Sequence, residues 1–458
     1  MGRAMERVRH GWTALMDGPD PEPPEDEPGE AFDPRAIDLV LRVGELLLAS
    51  GESTERVNEA MLSLALAYEL PRAEVQVSFT SILVSVHPGG GAPPVTGTRA
   101  IRRRTPAYWR LTALHDLVRR ASVGMLAPAA ARERLREIKH GRAPYPPWLM
   151  VVSLGLIAAF AGVLGGGGAI VAATAFVATL LGDRAAAALA RRGVAEFFQL
   201  ALAAAIGATA AVVVVAMGNP GRASTIVTGA ILALLPGRPL VASVQDGITG
   251  DLVSAGARLL EVFFIIAAIV AGLGAVVYLA MQVGVDVNVG ELPSAPALLR
   301  PLPVLSAAGV AVTFAVCLAV PRDVLLPAAA GGALIWTVYA LLLNARVTPV
   351  LASAVSAVFI GLAGNLYARR RHAPALPYVV PSIAPLLPGL LLYRGMVELN
   401  TRDGAAEGAL SLVSALSVAL ALGAGVNLGG ELVRAFQRVG LSASGRWARP
   451  AARRTRGF

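Results

Sequence analysis

The tetrapeptide Leu234-Leu235-Pro236-Gly237 returns as Leu386-Leu387-Pro388-Gly389, 152 residues later (388 less 236). At the same offset Asp246 matches Glu398, Thr249 matches Thr401, Asp251 matches Asp403 and Gly256 matches Gly408. Each copy lies inside an apolar run long enough to cross a bilayer, so the repeated unit is a set of membrane helices. A repeat built around helix-interrupting Pro-Gly pairs is the pattern of a secondary transporter.

The apolar excess is uneven. Hydrophobic residues make up 55% of the 458 and mean hydropathy is +0.61, but residues 1 to about 146 read as soluble. The first 33 residues form an acidic, proline-rich leader with almost nothing to bury, and Met1 to Asp20 contain no apolar core of the length a secretory signal needs. Over 34–146 an α+β domain is expected. Two helices are separated at Ser50-Gly51, with Ser53 placed to cap the second. Strand-type segments at 75–79, 82–86 and 95–101 are followed by helices over 108–121 and 129–139. A basic collar and the aromatics Tyr145 and Trp148 mark the membrane entrance. The lone Cys317 permits no internal disulfide.

From 147 the chain divides into about ten spans: 148–164, 168–182, 196–217, 225–242 and 258–282, then 303–320, 324–343, 347–367, 378–396 and 409–430. Residues 147–290 form one five-helix repeat, 291–432 the second, and 433–458 a basic tail. Five is odd, so the second copy runs upside down relative to the first. With a cytoplasmic N-terminus, the cytoplasmic loops and tail hold Arg184, Arg191, Arg192, Arg258, Arg322, Arg369, Arg370, Arg371 and most of the C-terminal arginines. The opposite loops hold only scattered ones such as Arg222, Arg300, Arg346 and Arg402, as the positive-inside rule requires. The 40 Lys and Arg against 31 Asp and Glu gather beside apolar runs, which favours an anionic membrane surface over nucleic acid. The fold class expected is a polytopic α-helical membrane protein of two inverted repeats behind a soluble domain. Its expected place is the cytoplasmic membrane, with both termini cytoplasmic and lipid as its surroundings.

Counted from the helix starts at ~1.5 Å per residue, both Pro-Gly pairs fall about 15 Å deep, near the bilayer midplane. Pro236 releases the carbonyl of Leu232 and Pro388 that of Ala384, while Gly237 and Gly389 loosen the backbone beside them. Freed carbonyls can hold an ammonium group and a half-helix start a carboxylate, which suits a small zwitterion. The competing account is a pair of proline kinks that only shape packing. Asp246 and Glu398 lie about 15 Å beyond the breaks, at opposite rims, as gates, proton sites or solvated loop acids. Asp251 and Asp403 share that role or cap the following helices. Glu261 and Arg394 are further intramembrane charges, beside Glu196, Gln199, Arg238, Asn344, Asn365 and Asn427. Gly165 to Gly168 reads as a tight turn. With Lys139 the sole lysine, no Walker motif exists, and neither cofactor nor metal is called for.

These residues resemble the bacterial threonine/serine exporters. The match runs from Leu39 to Met61, including Gly51-x-x-Thr54-x-x-Val57, through Tyr68 and the segment Phe79 to Ser85, and then over the five-plus-five helices with their Leu-Pro-Gly elements. The resemblance implies export of small hydroxylated amino acids driven by the proton motive force. The Gly-x-x-Thr-x-x-Val pattern marks the family without a chemistry of its own. Other readings stay open: a different small solute, a homo-oligomer, or a soluble domain that senses substrate or a partner. A membrane-anchored enzyme using Ser53, Ser78, Ser81, His87, His115 or Asp116 also stays open. No Gly-x-Ser-x-Gly or His-Glu-x-x-His motif supports the enzyme, and His115 and Asp116 read as solvated neighbours.

Overall fold

The computed structural model describes residues 32–89, 92–101, 107–218, 223–235, 237–285, 300–399 and 404–441. Helix α1 (Pro34–Ala49) starts at Asp33, whose carboxylate accepts the Arg35 N–H, with proline in the first turn. It stops at Ser50, where Gly51 takes φ +98°, a left-handed conformation suited to glycine. Helix α2 (Thr54–Ala67) follows. An antiparallel sheet runs in the order β1 (Glu74–Val77), β2 (Ser81–Val86), β3 (Val95–Ala100). On β2, Ile82, Val84 and Val86 are buried while their neighbours face outward, the period of two expected of a half-covered sheet. Helices α3 (Tyr108–Ser122) and α4 (Pro128–His140) complete the unit. Its core joins Leu39, Val40, Val43 and Leu47 to Met61, Leu64, Tyr108, Leu111 and Leu114.

The membrane-type helices are α5 (Pro147–Leu164), α6 (Ala169–Arg191), α7 (Glu196–Ala216), α8 (Ala223–Leu234), α9 (Gly237–Ile248) and α10 (Leu252–Gln282). They continue with α11 (Pro301–Cys317), α12 (Leu325–Asn344), α13 (Pro349–Arg371), α14 (Leu376–Ile383), α15 (Gly389–Leu399) and α16 (Ala405–Leu441). Among the described residues seven helices are long and apolar enough to cross a membrane, and eight if the bent pair α8 and α9 is one span. The protein is therefore a multi-pass helical membrane protein. Two of the ten expected spans fall short of that length: α11 has 17 residues, and Leu376–Leu386 is cut short where proline interrupts it.

Packing partners recur between the halves. Helix α5 packs on α6 and α8, α7 on α10, and α9 on α10; correspondingly α11 packs on α12 and α14, α13 on α16, and α15 on α16. Helices α5 and α11 pack on each other. The closest approaches use small residues: a methyl added at Gly272 would meet the Ala201 carbonyl of α7, and one at Gly425 the Ala354 carbonyl of α13.

The N-terminal unit is docked on this bundle rather than hung from it. The first two amides of α3, those of Tyr108 and Trp109, donate to the carbonyls of Leu318 and Ala319 at 3.0 and 2.9 Å. Orphan donors of one helix start are thus satisfied by orphan acceptors beyond the end of α11. Arg322 donates to the Pro144 carbonyl beside them. The second docking point surrounds Asp246.

Candidate functional site

Each broken helix solves its break in the same way. The Leu235 N–H donates to the Leu232 carbonyl at 3.4 Å, and the Leu387 N–H to the Ala384 carbonyl at 3.2 Å. The carbonyls that the prolines release are therefore taken up three residues on, by the tight turn itself, rather than left wholly free. Helices α8 and α9 meet at 58°. The two breaks adjoin: a methyl built on Gly389 would lie 3.5 Å from the Thr228 carbonyl and 3.7 Å from both Leu232 and Leu235. The cavity beside them, about 390 Å³, is lined among the described residues by apolar side chains, including Leu235, Leu240, Phe263, Leu387 and Pro388. Pro236 and Asp403 lie outside the described residues, as does the side chain of Arg238, and Gly237 opens α9.

Asp246 is fully buried near the end of α9. One carboxylate oxygen accepts Arg258 Nε at 2.7 Å; the other accepts the Thr54 hydroxyl at 3.1 Å and the Thr54 amide at 3.3 Å. Arg258, expected in a cytoplasmic loop, instead sits in the second turn of α10 with its side chain 4% exposed. Asp246 supplies the counter-charge that makes such burial tolerable. Arg258 also donates to the Glu52 carbonyl at 3.4 Å, and its guanidinium carbon lies 5.3 Å from the centre of the Phe79 ring. Beside this pair Gln245 donates to the Ser53 hydroxyl at 3.0 Å. Ser53 occupies the cap position of α2 as expected, but its hydroxyl faces Gln245 and makes no capping bond. The Gly51, Thr54 and Phe79 segments, on which the family resemblance rested without a chemistry, converge here. Their chemistry is to close over Asp246 and Arg258.

A second buried acid supports the loop. Glu52 is fully buried and lies 2.7 Å from His115 Nε2. Burial alone would push its carboxyl up, but the hydrogen bond and charge of His115, the charge of Arg56 and the Ser53 amide together hold it below the usual 4.5. His115 is thus no solvated neighbour of Asp116. The aspartate turns away to Arg119 and Arg120.

The repeat counterpart is arranged differently. Glu398 pairs with Arg394 one turn earlier on α15, and Ser411 of α16 donates to its other oxygen at 2.6 Å. The structure thus brings together two residues proposed separately. Asp251 caps α10 by accepting the Ser254 N–H at 3.1 Å. Glu261 is half-buried further along α10. Gly165 and Gly166 form the tight turn expected, with Gly166 at φ +90°. A small polar cleft joins Arg56 of α2, Gln245 of α9, Asn365 of α13 and Asn427 and Arg434 of α16, which no local signal connects. No three His, Cys, Asp or Glu side chains among the described residues gather to hold a metal ion.

Two family models match the chain, one described as "Putative threonine/serine exporter" over residues 38–280 and the other as "Threonine/Serine exporter, ThrE" over residues 304–430. A relative from Mycobacterium tuberculosis called "Probable threonine/serine exporter" is 33% identical over 403 residues, covering 86% of this chain and 76% of that protein. The "Threonine/serine exporter" of Corynebacterium glutamicum is 30% identical over 409 residues, 88% of this chain and 83% of that one. No solved structure matches significantly. The first model alone spans more than half of the sequence, from the N-terminal unit into α10, and each relative covers more than four fifths of the chain. This chain belongs to the threonine/serine exporter family and is a membrane transporter rather than an enzyme.

Proposed function

We propose that the protein is a secondary active exporter of threonine, serine and similar small hydroxylated amino acids, driven by the proton motive force. It works in the cytoplasmic membrane of a bacterium with both termini cytoplasmic. Ten spans in two inverted halves, with α8/α9 and α14/α15 each a single broken span, account for the duplicated packing partners. The observation that carries the reading is the meeting of the two breaks. Each is closed by the same three-residue turn at the same repeat position, and Gly389 of one stands against Thr228 of the other. Irregular backbone at membrane depth persists only where protein or a passage surrounds it. Two such elements in contact give one bundle a place to rock against the other.

In this scheme Asp246 and Glu398 are gates on opposite sides and the groups that a proton discharges. Protonating Asp246 removes its attraction for Arg258, and with it the hold of Thr54 on α9. The N-terminal unit is then the inner cover, and this conformation is closed toward the cytoplasm. Purified protein in proteoliposomes tests the reading: an imposed proton gradient should drive labelled threonine and serine across the membrane. Movement of neither, in vesicles shown to hold the gradient, rejects it.

A further inference from the structure

The cleft between the N-terminal unit and the bundle adjoins the latch at Asp246, sharing Gln245 with it, and adds polar side chains that the latch does not use. Asn365 on α13 donates its amide N–H to the Gly361 carbonyl at 2.8 Å, and Asn427 on α16 donates to the Gly423 carbonyl at 2.9 Å. Each donor turns back onto its own helix one turn earlier, which fixes the amide and leaves its oxygen as the group available to the cleft. Gly430 holds this arrangement open, since a methyl there would lie 3.1 Å from the Asn365 nitrogen. Two carbonyl-type acceptors on facing helices are suited to an ammonium group.

Arginines stand at the same cleft. Arg56 comes from α2 and Arg434 from α16, and Gln245 adds a polar side chain from α9. Arg434 is shared with Glu431, whereas no hydrogen bond or ion pair holds the Arg56 guanidinium among the described residues. Arg56 and Arg434 also feel the charge of Glu55. The wall is completed by Val241, Leu376, Val379 and Val426, enough apolar surface for a short side chain. Acceptors, cations and a small apolar wall in one place match an α-amino acid, and no purely anionic or cationic solute uses all three. The cleft also lies between α9 and α14, one half of each broken helix pair.

We propose that this cleft is the entry site for the amino acid, with the carboxylate held by Arg56 and Arg434 and the ammonium by the side-chain oxygens of Asn365 and Asn427. The proposal rests on the exporter reading and adds a location that is not the break itself, whose neighbouring cavity is apolar. In the present conformation the cleft holds only about 30 Å³, room for water but not for an amino acid. Admission of an amino acid therefore requires α2 to withdraw. Because Arg56 and Thr54 share that helix, loading the cleft and releasing Asp246 are one movement.

The test uses the full chain in proteoliposomes, measuring the half-saturating concentration of labelled threonine presented to the cytoplasmic side. Asn365→Leu and Asn427→Leu should each raise it about tenfold or more, the worth of a hydrogen bond to a charged group. Asn427→Asp, which keeps an acceptor, should restore it. Arg56→Gln should weaken threonine while leaving competition by 1-amino-2-propanol, which is threonine without its carboxylate, unchanged. This arginine is only half-buried, so the variant keeps a test in hand if an asparagine variant fails to fold. Half-saturation within about twofold of wild type in both leucine variants overturns the entry site and leaves the exporter reading standing. A wild-type protein that moves neither threonine nor serine overturns both.

Discussion

Asp246 and Glu398 occupy equivalent positions in the repeat, yet one is sealed with its cation and the other leaves its cation exposed. Asp246 has no exposed surface, and the side chain of its partner Arg258 is 4% exposed, whereas Arg394 beside Glu398 is 42% exposed. The first acid reaches across to another helix and to a separate unit of the chain; the second finds its cation four residues away on its own helix. Two acids that the sequence places at matching positions are covered differently. Nothing in either acid dictates this. The N-terminal unit brings Thr54, the Glu52 carbonyl and Phe79 to one end only.

That contrast can be broken most directly at Arg258. Arg258→Met leaves a buried carboxylate without a counter-charge and should cost about 3–5 kcal/mol, read as a lower thermal midpoint in detergent, with Asp246→Asn recovering part of the loss. A midpoint equal to wild type would mean that the pair does not hold the interface. Glu52 sharpens the same end through pH. Its folded-state pKa lies below the usual value, so its contribution is present above that value and is lost as pH falls through the folded one, in the range below 4.5. The wild-type midpoint should therefore fall more steeply below that pH than the midpoint of Glu52→Gln; parallel curves would remove Glu52 from the latch.

Smaller effects separate the cover from the acid. Thr54→Val removes one hydroxyl bond to Asp246 while keeping the shape, at a cost of about 1–2 kcal/mol. Amide exchange over residues 51–57 should speed up while that of the sheet does not. Uniform exchange would show that the loop is held by packing alone. At the open end, Glu398→Gln should change stability by about 1 kcal/mol or less, because its partner is substantially exposed. The same substitution should flatten the pH dependence of transport. A stability loss as large as that of Arg258→Met would erase the distinction between the two ends.

Much of this molecule was legible in the sequence. Helix and strand positions in the N-terminal unit followed from periodicity and from Gly51, Pro71 and Pro88. The cap at Asp251 followed from an acid placed just before an apolar run, and the breaks from Pro-Gly inside such runs. The latch was not legible. Thr54 and Asp246 are separated by 192 residues, and a threonine at a helix start carries the same local signal whether it meets water or a buried acid. Arg258 read as a loop cation because charge near a helix end usually snorkels, and only burial beside Asp246 overturns that. The released carbonyls misled for a different reason: covalent geometry removes a partner at proline, but the chain that follows is free to turn and supply another.

The sequence by itself determined a multi-pass membrane chain with two Pro-Gly helix breaks and an acid about ten residues beyond each, since proline chemistry and apolar run length act locally. Tertiary structure alone decided that the breaks touch, that their carbonyls are already engaged, and that the first acid is sealed together with its cation while the second leaves its cation exposed. Those outcomes depend on which surfaces dock. Burying Asp246 requires a cation and hydrogen-bond donors from two other parts of the chain at once, a requirement met only when the N-terminal unit is in place.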